Sequence, residues 1–195
     1  MMPFRSIITK NIQKISQLDI SIIAPSHGPS YKNPKPIIDS YKEWCSGETK
    51  PFVAIAYVSM HDSTKTIIEY IAKGIMDGGL NVKIFNLANS EIGELATSLV
   101  DCSTLVLGSP TVLAGAHPLV IYAAFLANAL RPKLKYLSIV GSYVWGGKMI
   151  DQITKTIPMI KAEVIEPVLC KGLPRESDFK NFDLLVKTII EKNQH

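Results

Sequence analysis

Cysteine and histidine are scarce in this chain of 195 residues, with three of the first and four of the second. Cys45, Cys102 and Cys170 stand singly, odd in number and without CxxC spacing. That excludes a disulfide scaffold and a zinc ribbon, and it fits reduced thiols in a cytoplasm. The longest apolar stretches are strand-sized, short of the roughly 18 residues a membrane span needs. The N-terminus lacks a basic start, an unbroken apolar segment and a small-residue cleavage site, so no export is expected. Charge of one sign is not concentrated anywhere. The first 49 residues hold six basic and four acidic side chains, the remainder fifteen and thirteen, for a net +4 overall. Nothing therefore resembles a nucleic-acid-binding arm or stripe. With 47% apolar and 19% charged residues and only 12 Gly and 12 Pro, the chain is neither disordered nor collagen-like. Its length suits one domain with a short appendage.

From Pro51 onward two patterns alternate. Residues 52–58 (FVAIAYV) are apolar throughout, as in a strand covered on both faces. In 64–77, Ile67, Ile68, Ile71, Ala72, Ile75 and Met76 fall on one helical face, and Gly78-Gly79 stops the helix. Further strands are predicted at 81–86, 103–107, 135–140 and 162–169, and further helices at 91–100, 118–130, 148–157 and across Phe179 to Ile190. Pro118 suits a first helical turn. Five strands alternating with five helices require right-handed crossovers and give a three-layer, doubly wound α/β sheet. Residues 1–49 do not join that rhythm. A helix at 7–18, a short strand at 20–24, a loop with four prolines at 25–36, a short helix at 39–44 and a linker at 46–50 are expected, too little to bury a core alone.

Ligands of open parallel sheets bind outside the carboxyl ends of the strands. Three loops lie there: 59–64 (SMHDST), 109–118 and 141–147, each rich in Gly, Ser or Thr. The first leads into a helix, so its amides and hydroxyls can ring an anion at the positive helix end. It fits neither GxxxxGK[ST] nor GxGxxG, which argues against a triphosphatase or a dinucleotide pocket.

SMHDST resembles the phosphate loop of flavodoxin-like domains, Ser/Thr-x-x-Gly-x-Thr. More narrowly, GSPT at 108–111, GSYVWGG at 141–147 and PSHGP at 25–29 are together similar to flavodiiron proteins, in which a metallo-β-lactamase-like domain with two irons precedes a flavodoxin domain. The resemblance covers essentially the whole chain. It implies a flavodoxin-like α/β/α sandwich with a five-stranded parallel sheet in the order 2-1-3-4-5 over residues 50–195, and a remnant of the lactamase-like domain plus linker over 1–49. It implies FMN as cofactor. Ser59, Ser63 and Thr64 with the amides of Met60, His61 and Asp62 would take the phosphate. Ser109, Pro110, Thr111 and Gly115 would lie along the ring and ribityl chain, and Ser142, Tyr143, Trp145 and Gly146 would form the opposite wall.

The departures from the family pattern are specific. Asp62 stands where the family has Gly, and a carboxylate about 4–6 Å from a phosphate costs about 1–4 kcal/mol at an effective dielectric between 20 and 80, although Asp tolerates the left-handed turn. Leu113-Ala114 replaces polar or aromatic residues. His27 looks like the last iron-binding histidine of the lactamase domain, but the HxExDH run has no counterpart, and with only His61, His117 and His195 besides, no diiron centre is expected. His117 reads as a cap of the third helix. His61 reads as a phosphate donor or an ordinary loop histidine, and Trp145 as a flavin wall or an interface aromatic.

The expected role is electron transfer, either as a carrier or as an oxidoreductase component, between a redox donor such as rubredoxin or a reductase and an acceptor, which includes a separate diiron subunit. Homodimerisation is compatible with it; nucleic acid and membrane are not expected partners. The rival readings are a flavin-free interaction module with an eroded site and an FMN-dependent NAD(P)H:quinone reductase.

Overall fold

The computed structural model describes residues 2–194; His195 lies outside the described residues. The chain forms two compact units, Met1–Glu48 and Thr49–His195.

In the first unit a 3-10 turn (Met2–Phe4) leads into α1 (Arg5–Ile15), which packs on α2 (Pro34–Cys45). The strand expected at 20–24 does not form. Only Ile23 pairs, in an isolated antiparallel bridge to Tyr31, because no further residue of the segment has a backbone partner. The helix expected at 39–44 begins five residues earlier, with Pro34 and Pro36 in its first turn. Proline reads as a loop signal, yet a first-turn N–H has no intrahelical acceptor, so its loss costs nothing there.

The second unit is built on β1 (Lys50–Tyr57), α3 (Ser63–Asp77), β2 (Asn81–Asn86), α4 (Ile92–Ser98), β3 (Cys102–Val112), β4 (Gly115–Ala116), α5 (Pro118–Leu130), β5 (Tyr136–Tyr143), α6 (Met149–Thr156), β6 (Glu163–Val164), β7 (Val168–Lys171) and α7 (Glu176–Gln194). The sheet runs β2-β1-β3-β5-β6, with β7 also on β5 and all these pairings parallel. It differs from the expected five strands in two ways. The fifth strand is split, and β4 is a short antiparallel addition to β3. With the split edge counted once and β4 set aside, the order is the expected one. The split falls at residues 165–167, where Pro167 has no N–H to give a ladder.

α3 and α7 pack together against one face of the sheet; α5 packs against β1 and β3 with α4 and α6 beside it. On the first face Ile67, Ile68, Ile71 and Ile75 of α3 and Phe182, Leu185 and Ile189 of α7 close over Val53 and Ile55 of β1. Emptying one such position, as in Phe182→Ala, costs about 3–5 kcal/mol. Met76, expected on that face, is 49% exposed at the helix end. The Tyr70 hydroxyl donates to Asp183 Oδ1 at 2.5 Å, tying α3 to α7 across the outer surface. Burial pushes the Cys102 thiol up to about 12 and the Cys170 thiol to about 11, so both are protonated at neutral pH.

One correction bears on the site. Residues 108–112, expected as loop, continue β3. Gly108, Ser109 and Pro110 pair with Val140, Gly141 and Ser142 of β5, and the chain returns through Leu113 and Ala114 into β4. Pro110 is tolerated because β1 ends its pairing at Gly108, leaving that side of β3 an edge. A Cβ at Gly141 would fall on the Ser109 carbonyl oxygen, so only glycine lets the two strands run this close.

Candidate functional site

The carboxyl ends of β1, β3 and β5 share one end of the parallel sheet, and there the structure opens a cavity of about 310 Å³. Ser59, Met60, His61, Ser63 and Thr64 line it from the first loop, Pro110, Thr111 and Val112 from the end of β3, Ser142, Tyr143 and Val144 from the end of β5, and Gly172 from the residue after β7. No Asp, Glu, Lys or Arg side chain lines it.

The first loop is shaped by short local bonds. The Ser59 hydroxyl accepts from the Lys65 amide (3.2 Å), Ser63 N–H donates to the His61 carbonyl (2.8 Å), and the Thr66 amide and hydroxyl both donate to the Asp62 carbonyl (2.8 and 3.0 Å). Asp62 sits just before α3 at φ 58°, the left-handed turn that the family's glycine would supply. Its side chain is exposed and outside the cavity lining, which screens its charge and places its cost on an anion at the lower end of the expected range. Among the described residues the amides of Met60, His61, Asp62 and Thr64 have no hydrogen-bond acceptor, so the helix start presents open donors. Thr64, 1% exposed, and Ser142, 7% exposed, place their hydroxyls 3.3 Å apart and join the first loop to the third.

The second loop is a hairpin. Leu113 (φ 47°) and Ala114 (φ 63°) are both left-handed, the φ pattern of a type I′ turn, and Leu113 is 99% exposed at its tip. Ser109 is fully buried. Its hydroxyl donates to the Pro110 carbonyl (2.8 Å) and accepts from the His117 amide (2.9 Å), so it holds the hairpin's base rather than lining the cavity. His117 caps α5, its Nδ1 accepting from the Leu119 amide at 3.2 Å. Gly115 pairs with Val112 within the hairpin.

Of the residues expected to hold a ligand, Ser59, Met60, His61, Ser63, Thr64, Pro110, Thr111, Ser142 and Tyr143 come together around the cavity. Asp62, Ser109, Gly115, Trp145 and Gly146 lie outside its lining, and Trp145 is 78% exposed. Val112, Val144 and Gly172 line it without having been expected. Gly172 had a signal in the sequence, a glycine just past the fifth strand, but a strand end placed at 169 kept it from the edge. His27 is exposed, and among the described residues no three His, Cys, Asp or Glu side chains cluster as a metal site.

The cavity fits the phosphate end of a flavin mononucleotide. Open amides at a helix start and buried hydroxyls are the donors that a phosphate monoester needs when no Lys or Arg is supplied. The volume lies at the small end of ligand sites, as for a ligand that leaves part of its surface exposed.

No family model matches the chain. A nitric oxide reductase of Moorella thermoacetica is 33% identical over 185 residues, 92% of this chain and 46% of its own length. An anaerobic nitric oxide reductase flavorubredoxin of Aliivibrio salmonicida is 30% identical over 156 residues, 77% of this chain and 31% of its own. The rubredoxin:oxygen oxidoreductase of Desulfovibrio gigas superposes with a TM-score of 0.92 at 22% identity, over 99% of this chain and 50% of that one. A flavodoxin from an archaeon superposes at 0.62 and 24% identity, over 73% of this chain and 99% of its own. The chain thus spans less than half the length of the two nitric oxide reductases it matches. Among the described residues no helix is long and apolar enough to cross a membrane. The chain carries a flavodoxin-like domain similar to that of flavodiiron proteins, a domain class that binds FMN.

Proposed function

We propose that FMN sits in the cavity at the end of β1, β3 and β5 and that the chain carries electrons between a reduced donor and an acceptor. The observation that supports this most directly is the meeting of the open amides of the first loop with the buried Thr64–Ser142 hydroxyl pair in a cavity lined by no Asp, Glu, Lys or Arg. Ser59, Ser63 and Thr64 and the amides of Met60, His61 and Asp62 hold the phosphate. Pro110, Thr111 and Val112 flank the ligand on one side, and Ser142, Tyr143 and Val144 on the other. Trp145 and Gly146 extend this third loop beyond the lining, where an exposed ring edge would meet them.

When bound, the isoalloxazine supplies the redox chemistry. The chain binds, orients and partly shields it, and no side-chain acid or base is required. Electrons would come from a donor such as rubredoxin or a reductase and pass to an acceptor, which includes a separately encoded diiron subunit or a second copy of the chain. Three unpaired thiols fit a cytoplasmic setting.

The test is a titration of the full chain with FMN, followed by flavin fluorescence and absorbance. Quenched fluorescence and a bound yellow chromophore at micromolar FMN are expected, and the absence of binding there would overturn the reading in favour of a flavin-free module.

A further inference from the structure

Gln152 lies on α6, outside the cavity lining, and in sequence it is an ordinary polar residue of an exposed helical face. Its side chain nevertheless reaches the second loop. Gln152 Oε1 accepts the Ala116 amide at 2.8 Å, and Ala116 is 6% exposed. Two further features close the same contact. The Lys148 amide donates to the Ala114 carbonyl at 2.7 Å, so the start of α6 also grips the hairpin turn. A Cβ at Gly115 would fall on Gln152 Oε1, and one at Gly147 would lie 2.9 Å from the Ala114 carbonyl oxygen.

The hairpin needs such a clamp. Leu113 and Ala114 hold left-handed conformations that neither side chain favours, and the hairpin has only two pairs of strand residues, Thr111 with Ala116 and Val112 with Gly115. A strained turn on so short a ladder keeps its shape only where its surroundings hold it. Thr111 and Val112 are the residues by which this hairpin lines the cavity.

We infer that Gln152 is a positioning residue for the flavin site: its bond to the Ala116 amide fixes the 111–116 hairpin, and through it the wall that Thr111 and Val112 present to the ligand. The inference rests on the FMN reading for its effect on binding, but the clamp itself is a property of the ligand-free chain.

The experiment has two arms on the full chain. In the ligand-free arm, amide hydrogen exchange is measured at Ala116 and Lys148 in the wild type, Gln152→Ala and Gln152→Glu. Gln152→Ala should speed exchange at both amides by about tenfold, the size of one lost hydrogen bond, and Gln152→Glu, which keeps an acceptor oxygen, should restore protection. Unchanged exchange at Ala116 in Gln152→Ala overturns the inference whether or not FMN binds. In the second arm, FMN affinity and the midpoint potential of the bound flavin are measured. Gln152→Ala should weaken binding about three- to tenfold and shift the potential, with recovery in Gln152→Glu. Gly115→Ala should act through the same contact, so its effect on affinity should shrink in the Gln152→Ala background. A wild type that binds FMN alongside a Gln152→Ala variant of equal affinity and potential overturns the positioning role, whereas a wild type that does not bind overturns the proposed function and leaves the exchange arm to decide the clamp.

Discussion

The first loop and the hairpin after β3 border the same cavity and both pass through left-handed backbone, but they hold it by different means. In the first loop a single residue, Asp62, takes the left-handed turn, and the Thr66 amide and hydroxyl fasten its carbonyl. Asp visits that region at low cost, so the loop closes largely on its own bonds. The hairpin places Leu113 and Ala114 there side by side, with no local polar group to compensate, and relies on Ser109 beneath it and on Gln152 and Lys148 of another element. A short polar residue lets a loop fold from within, whereas apolar residues in the same conformation make its shape depend on packing from outside.

The contrast can be broken at its strongest point first. Thr64→Val keeps the shape of the buried side chain but removes the hydroxyl shared with Ser142, and should weaken FMN binding by about 2 kcal/mol, near thirtyfold, in a fluorescence titration. Equal affinity would mean that the first loop binds through its amides alone. Next, relieving the hairpin should stabilise the chain: Ala114→Gly should raise unfolding free energy by about 1 kcal/mol in urea denaturation. Asp62→Gly, at a residue that already tolerates the turn, should gain only a few tenths. If the two variants gain equally, the difference in strain drawn between the loops is wrong. The smallest effect concerns charge. Asp62→Gly should tighten FMN binding by no more than about 1 kcal/mol, because the carboxylate is exposed, and the gain should fade as salt is raised.

Much of the fold could be read from the chain because β1, β2, α3, α5 and α7 each carry their own pattern: an apolar or alternating run, a 3.6-residue face, a proline at a helix start or glycines at a helix end. Where reading failed, proline was involved three times. Pro34 and Pro36 hid the first turn of α2, Pro110 hid the end of β3, and Pro167 broke the last strand into β6 and β7. In each case the cost of proline depends on whether a particular N–H would have had a partner, which local sequence does not state. The strand expected at 20–24 failed for a related reason, since a strand exists only where another backbone meets it. At the site, the first loop was legible down to Ser59, Ser63 and Thr64. Ser109 was placed at the right edge but turned inward, and Gln152 gave no signal at all, because an acceptor for a backbone amide 36 positions away looks like any surface glutamine.

The sequence by itself determined the alternation of strands and helices, the edge of the sheet at which a ligand can bind and the uncharged character of its donors, since hydrophobic periodicity and loop chemistry are local properties. Only the tertiary structure decided which of those donors meet. It extended β3 past Gly108 into a hairpin, brought Thr64 against Ser142, turned the Asp62 carboxylate out to solvent and set Gln152 on the Ala116 amide. Each of these depends on distances between residues far apart in the chain, and such distances follow from how the helices and the sheet pack rather than from any one segment.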